Sequence, residues 1–183
     1  AVIVRTADHA LLYDAGPRYS QDSDAGHRVL VPLLRALDVP LDMLMISHRD
    51  MDHAGGALTV MAMQSQAELV SSIPDDHELR AARQARRCEA GQRWRWDGVD
   101  FEVLHPPVGD YGQVAKANAM SCTLRISNGV QSALLAGDIE QAQEARLVAA
   151  GTDLKATVLL VPHHGSKSSS SAAFLDAVQP RIA

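Results

Sequence analysis

Asp42-Met43-Leu44-Met45-Ile46-Ser47 runs directly into His48-Arg49-Asp50-Met51-Asp52-His53-Ala54-Gly55-Gly56. The first segment is a short apolar run of the kind that forms a buried strand. The second packs two imidazoles, two carboxylates and a guanidinium into six positions. Buried without partners, such groups would repel one another or remain unsatisfied, unless cations sat among them. An exposed polar turn would account for any one of these histidines taken singly. It does not account for the whole cluster, closed by two glycines and matched by acidic and imidazole groups elsewhere.

Those matches fall at the ends of other apolar segments. Leu11-Leu12-Tyr13 is followed by Asp14 and the turn signal Ala15-Gly16-Pro17. Leu134-Leu135-Ala136-Gly137 is followed by Asp138, and Leu159-Leu160-Val161-Pro162 by His163-His164-Gly165-Ser166. Between them, Val29, Leu30, Leu33, Leu34 and Leu37 recur at helical spacing and predict a helix that stops before Pro40. Further helices are predicted from about Gly55 to Gln64, over 140–149 and over 172–178. Strands are predicted at 68–71, 94–96, 99–104, 122–127, 131–136 and 157–161, with hairpin turns at Asp97-Gly98 and Asn128-Gly129. Strands and helices interleave, which implies a layered α/β domain with a mixed sheet, one domain over residues 1–183. Both ends run in patterned sequence, so the chain is expected to be a piece of a longer polypeptide, truncated at both ends.

Composition narrows the function. With 46% hydrophobic residues the chain can bury a core, and at 4% aromatic that core must be aliphatic. No apolar run approaches the ~20 residues of a membrane helix. A formal net charge of −5 gives no global attraction for nucleic acid. Locally, Arg80, Arg83, Arg86, Arg87, Arg93 and Arg95 stand against Glu78 and Glu89 in a basic stretch. A solvated helix face followed by an edge strand explains most such runs. Arg93 and Arg95 share one strand face and Trp94 and Trp96 the other. The tryptophans are expected to pack into the core. His105, ahead of two prolines, reads as structural. Cys88 and Cys122 lack metal-type spacing, and an even pair permits one bridge.

His48-x-Asp50-x-Asp52-His53 resembles the H-x-H-x-D-H signature of the metallo-β-lactamase superfamily, with Asp50 in place of the middle histidine. Asp14-x-Gly16, Gly137-Asp138 and His163-His164-Gly165 resemble its buttressing aspartate, bridging aspartate and last metal histidine. The strings LLYDAGP, MISHRDMDHAGG, LLAGDIE and VPHHGSKSSSS narrow the likeness to the C-terminal domain of the ComEC family of DNA-uptake proteins. That resemblance implies an αββα four-layer sandwich with mixed sheets. It implies one metal site from Asp52, His53, Asp138 and either His163 or His164, and another from His48, Asp50 and Asp138. The superfamily's further histidine is absent, leaving Asn118 or Ser121 to supply an oxygen or orient substrate. Asp14 would support the loop, and Asp52, His53 and Asp138 would be central to catalysis.

Exchanging imidazole for carboxylate makes a harder, oxygen-rich site, so two divalent ions are expected, Mn²⁺ in preference to Zn²⁺ or Mg²⁺. The resemblance further implies a nuclease that degrades the non-transported strand during natural transformation. Ser166, Lys167 and Ser168 would grip phosphate, with Arg93 and Arg95 along the DNA. Single-stranded DNA and the remainder of a membrane channel protein are the expected partners, with no lipid contact by this piece, which would be monomeric when excised. The domain would face the periplasm or cell exterior, where a Cys88–Cys122 bridge would form. Two alternatives remain open: a hydrolase of another ester, of lactonase or phosphorylcholine esterase type, and a non-catalytic DNA-guiding module.

Overall fold

A computed structural model describes residues 1–113 and 116–183. The chain forms two compact units, Ala1–Arg87 and Cys88–Ala183.

The first unit opens with β1 (Val2–Arg5), β2 (Ala10–Tyr13) and a small hairpin, β3 (Arg18–Ser20) and β4 (Ser23–Asp24). A π-helical turn, Gly26–Leu30, runs into α1 (Val31–Ala36). Then follow β5 (Met43–Ile46), α2 (Met51–Ala54), α3 (Ala57–Met63), β6 (Glu68–Ser71), α4 (Glu78–Ala82) and β7 (Ala85–Arg87). The sheet order is β1-β2-β5-β6-β7, antiparallel between β1 and β2 and parallel thereafter. All residues of β2 and β5 are buried, as expected of parallel strands covered on both faces, and hence the unbroken apolar runs Ala-Leu-Leu-Tyr and Met-Leu-Met-Ile. Leu12, Leu44, Ile46 and Leu69 share a core with Leu30 and Leu34 beside α1 and with Val60 and Met61 of α3.

Two details differ from the sequence reading. The buried arc of the first helix centres on Leu34 and takes in Leu30 and Val31, while Val29, Leu33 and Leu37 are exposed. The helix is therefore rotated from the orientation its leucine spacing suggested. The helix expected from Gly55 to Gln64 is two short ones, parted at Gly55-Gly56. A Cβ on Gly56 would collide with the Ala15 carbonyl and the Gly26 amide, and one on Gly55 with Arg18 and Met51. The chain has to cross itself closely here, beneath the 48–53 loop.

The second unit contains β8 (Arg93–Trp96), β9 (Val99–His105), β10 (Thr123–Ser127), β11 (Ser132–Leu135), α5 (Gln141–Ala149), β12 (Val158–Leu160) and α6 (Ala172–Val178). The sheet runs β12-β11-β10-β9-β8, with only the β11–β12 pair parallel. Asp97 and Gly98 both have positive φ, 48° and 81°, as a tight hairpin of matching twist requires. At the other expected turn the Asn128 side chain accepts from the Val130 and Gln131 amides. Leu104, Leu134, Ala136 and Leu159 pack with Leu147 of α5 and with Phe174 and Val178 of α6. The fully buried Glu144 carboxylate accepts the Ser170 and Ser171 amides, at 2.5 and 2.8 Å, just ahead of α6. Among the described residues no helix is long and apolar enough to cross a membrane.

Candidate metal centre

In the first unit, Asp14 and His48 lie just past the C-terminal ends of the adjacent parallel strands β2 and β5, where open α/β sheets gather their ligands. Asp14 adopts a left-handed conformation, φ 60°. Its buried carboxylate accepts the Ser47 amide at 2.7 Å, the Ser47 hydroxyl at 3.1 Å and the His53 Nδ1–H at 2.8 Å. With Nδ1 so committed, the lone pair of His53 lies on Nε2, the carboxylate–imidazole arrangement that prepares a histidine to ligate metal. His48 is treated alike: its Nδ1 is 3.0 Å from the Ser47 hydroxyl. Each Nε2 faces a carboxylate, His48 that of Asp50 at 3.6 Å and His53 that of Asp52 at 3.5 Å. These separations exceed a hydrogen bond and match the ~3.4 Å between two donors on one tetrahedral ion.

The second unit repeats the pattern. The buried Asp138 follows β11, its amide donating to the Ser121 hydroxyl at 3.0 Å. Its Oδ2 is 3.6 Å from Nε2 of the exposed His164. His163 and His164 both adopt left-handed conformations, φ 49° and 52°. Such backbone in non-glycine residues costs ~1–3 kcal/mol and clusters at functional sites. His163 lies against Asn118, Ser168 and Glu140. Ser121 is fully buried and oriented toward the backbone of Asp138. Ser166 lies 3.1 Å from Ser168, and Lys167 is exposed. Within each half, oxygen and imidazole donors stand at ligand-like spacing, and in the first unit the partners behind both imidazoles are in place, so the residues present fit a divalent cation.

Sequence reasoning missed Ser47 and Glu140. A serine ending an apolar strand carries no signal, and Glu140 announces only a helix start, where it forms a capping box with Gln143.

The arginines are held internally. Arg83 reaches the carbonyls of Met61 in α3 and of Gln64 and Ala67 beyond it, at 2.7–3.0 Å. Arg80 donates to the Ile73 and Ala85 carbonyls, while Arg86 pairs with Glu68 and Arg87 with Asp75. Arg93 and Arg95 pair with Glu102 and Asp100 across the β8–β9 hairpin and remain exposed. With Arg125 they line an open groove of about 560 Å³. Trp94 stacks on Phe101, ring centroids 5.0 Å apart, as expected of a packing role. Cys88 and Cys122 are joined in a disulfide. His105 is buried with Nε2 2.8 Å from the Ala119 carbonyl, in keeping with its structural reading. Burial pushes its pKa below the ordinary histidine value, against the opposing pull of that carbonyl.

The sequence model of the metallo-beta-lactamase superfamily matches residues 1–183, and the chain belongs to that superfamily, whose members are generally metal-dependent hydrolases. Solved structures agree on the fold. A Cronobacter sakazakii metallo-beta-lactamase with a HARLDQ motif aligns with TM-score 0.65 at 16% identity, over 97% of this chain and 82% of that one. More specifically, the chain is 40% identical over 185 residues to competence protein ComA of Neisseria gonorrhoeae. It is 34% identical over 184 residues to recombination protein 2 of Haemophilus influenzae, and 32% over 169 to ComE operon protein 3 of Bacillus subtilis. These alignments cover 100%, 100% and 86% of this chain, but only 25%, 22% and 21% of the relatives. The chain thus spans about a quarter or less of their length.

Proposed function

We propose that the chain is a metal-dependent phosphodiesterase that hydrolyses DNA, degrading the strand left outside during natural transformation. The supporting observation is the first unit's donor set, His48, Asp50, Asp52 and His53, with both Nδ1 atoms secured by Asp14 and Ser47. Similarity to proteins named for competence and recombination points to DNA as the substrate.

By the superfamily resemblance, Asp52, His53, Asp138 and His164 would hold one ion. His48 and Asp50, sharing Asp138, would hold a second, with the Asp50 carboxylate favouring Mn²⁺ or Mg²⁺ there over Zn²⁺. Bound metal supplies an activated water near neutral pH and offsets charge on the attacked phosphate. The protein's own contribution is positional. Asp14 fixes the tautomer of His53, and Ser47 orients Asp14 and His48. Ser121 sets the backbone of Asp138. Lys167 and the Ser166 and Ser168 hydroxyls would contact the substrate phosphate. Ser168 already donates to Glu140 at 3.3 Å, a carboxylate an incoming phosphate must avoid, so Lys167 carries most of that attraction. Arg93 and Arg95 would follow the backbone of a single strand, and the remainder of the longer polypeptide would deliver it from the periplasmic or outer side of the membrane.

The test is degradation of end-labelled single- and double-stranded DNA with Mn²⁺, Mg²⁺, Zn²⁺ or EDTA, beside Asp52→Ala. Metal-dependent cleavage lost in the variant is the expected result. Metal bound by a folded chain without cleavage would reject the nuclease for this chain and favour a DNA-guiding role. A second reading rests on 27% identity over 62% of this chain to hydroxyacylglutathione hydrolase of Aeromonas salmonicida. Turnover of small thioesters or lactones, with DNA left intact, would establish it.

A further inference from the structure

We infer that His163 is a positioning residue, the middle of a directional hydrogen-bond chain Asn118→His163→Ser168→Glu140 that sets the neighbouring His164 as the metal ligand of this turn. The inference rests on the metal-site reading above and lies entirely within the second unit.

The direction of the chain follows from donor chemistry. The Asn118 side-chain nitrogen can only donate, so the ring atom it meets at 3.3 Å, His163 Nε2, must carry the lone pair. The ring proton is then on Nδ1, 3.0 Å from the Ser168 hydroxyl oxygen. The Ser168 hydroxyl in turn donates to Glu140 Oε1 at 3.3 Å, and that carboxylate also stands 3.5 Å from His163 Nδ1. Both ring nitrogens of His163 are therefore engaged with protein groups, and neither presents an acceptor lone pair to a cation. His164 differs: its Nε2 faces Asp138 Oδ2 at 3.6 Å, and its side chain is 64% exposed.

The chain also explains the backbone. Two successive non-glycine residues with φ near 50° stay in the left-handed region only if their surroundings hold them there. The His163 amide donates to the Gly137 carbonyl at 3.1 Å, and its carbonyl accepts the Ser166 amide at 2.8 Å. Ser168 is fastened a second time, its carbonyl accepting the Gln141 amide at 2.9 Å. The ring of His163 thus ties the turn to the segment carrying Asp138 and Glu140 and to the Asn118 turn. Ser168, which the phosphate-gripping reading treats as a substrate contact, acts here through His163.

Zn²⁺ binding by calorimetry, with thermal unfolding of each apo variant as a check on folding, tests the inference. His164→Ala should lose the ion. Ser168→Ala should weaken binding about 10-fold and His163→Ala by tens of fold, the range seen when partners behind a ligand are removed. The double variant should be no weaker than His163→Ala alone, because both substitutions cut one chain. His163→Gln, which keeps an acceptor for Asn118, should recover part of the loss. Nitrogen NMR of the apo protein should find His163 as the Nδ1–H tautomer. If His163 ligates instead, His163→Ala will lose the ion while His164→Ala keeps it and Ser168→Ala is silent, which overturns the inference and leaves the metal site standing. Retention of the ion by both His163→Ala and His164→Ala would overturn the inference and the metal-site reading together.

Discussion

The 48–53 loop and the 80–95 arginine run are both rich in charge, and the structure uses them in opposite ways. Every arginine of the run ends on a carbonyl or carboxylate of its own unit: Arg83 on three carbonyls, Arg86 on Glu68, Arg93 on Glu102. In the loop, protein groups fix the orientation of each imidazole. Asp14 and Ser47 hold the Nδ1 atoms, while the Nε2 atoms and the Asp50 and Asp52 carboxylates face each other at 3.5–3.6 Å, too long to be hydrogen bonds. Density of charge does not mark a site. A site is marked by groups whose orientation is fixed while their outward atoms converge without closing on one another.

Asp14→Ala should give the largest effect, because it releases Ser47 and His53 together. Metal affinity should fall by about 10–100-fold, read by calorimetry. Unchanged affinity would remove Asp14 from the site. Arg83→Ala tests the other side of the comparison. With three carbonyls losing a charged donor, stability should fall by about 2–4 kcal/mol in denaturant titration, with metal binding intact. A silent substitution would mean that the arginine run is not structural.

A pH series separates fold from site through His105, whose folded pKa lies below its ordinary 6.5 because of burial. Between the depressed folded value and 6.5 the unfolded chain binds more protons, so stability is full above 6.5 and declines as pH falls through that window. His105→Gln should flatten that part of the stability curve; a slope unchanged by the substitution would assign the dependence elsewhere. The smallest effect on stability is expected from Arg93→Ala with Arg95→Ala, below ~1 kcal/mol because both pairs are exposed. If these arginines track DNA, the same variant should lower the salt slope of DNA binding by about 2. An unchanged slope would confine them to the hairpin.

Periodicity and turn chemistry made most of the fold legible. The buried runs at 10–13 and 43–46 read correctly because parallel strands covered on both faces need no alternation, and Asp97-Gly98 and Asn128-Gly129 marked their hairpins. The β3–β4 hairpin was not legible, its strands being three and two residues long, without a buried residue. The rotation of the first helix also escaped, since five leucine and valine positions fit one stripe and only packing selects which part turns inward. At the site, spacing alone exposed His48, Asp50, Asp52 and His53. Asp14 and Asp138 were legible as strand-end acids, with their roles supplied by resemblance. Ser47 and the Asn118–His163 contact, 45 residues apart in sequence, depend on tertiary placement that no local pattern encodes.

The central claim is that the loop is a metal site and the arginine run is not. The most direct test counts metal equivalents per chain for the wild type, for His53→Ala and for Arg93→Ala with Arg95→Ala, after equilibration with Mn²⁺ or Zn²⁺. The expected result is loss of bound metal in His53→Ala, with the arginine variant indistinguishable from wild type. Equal metal content in all three would contradict it.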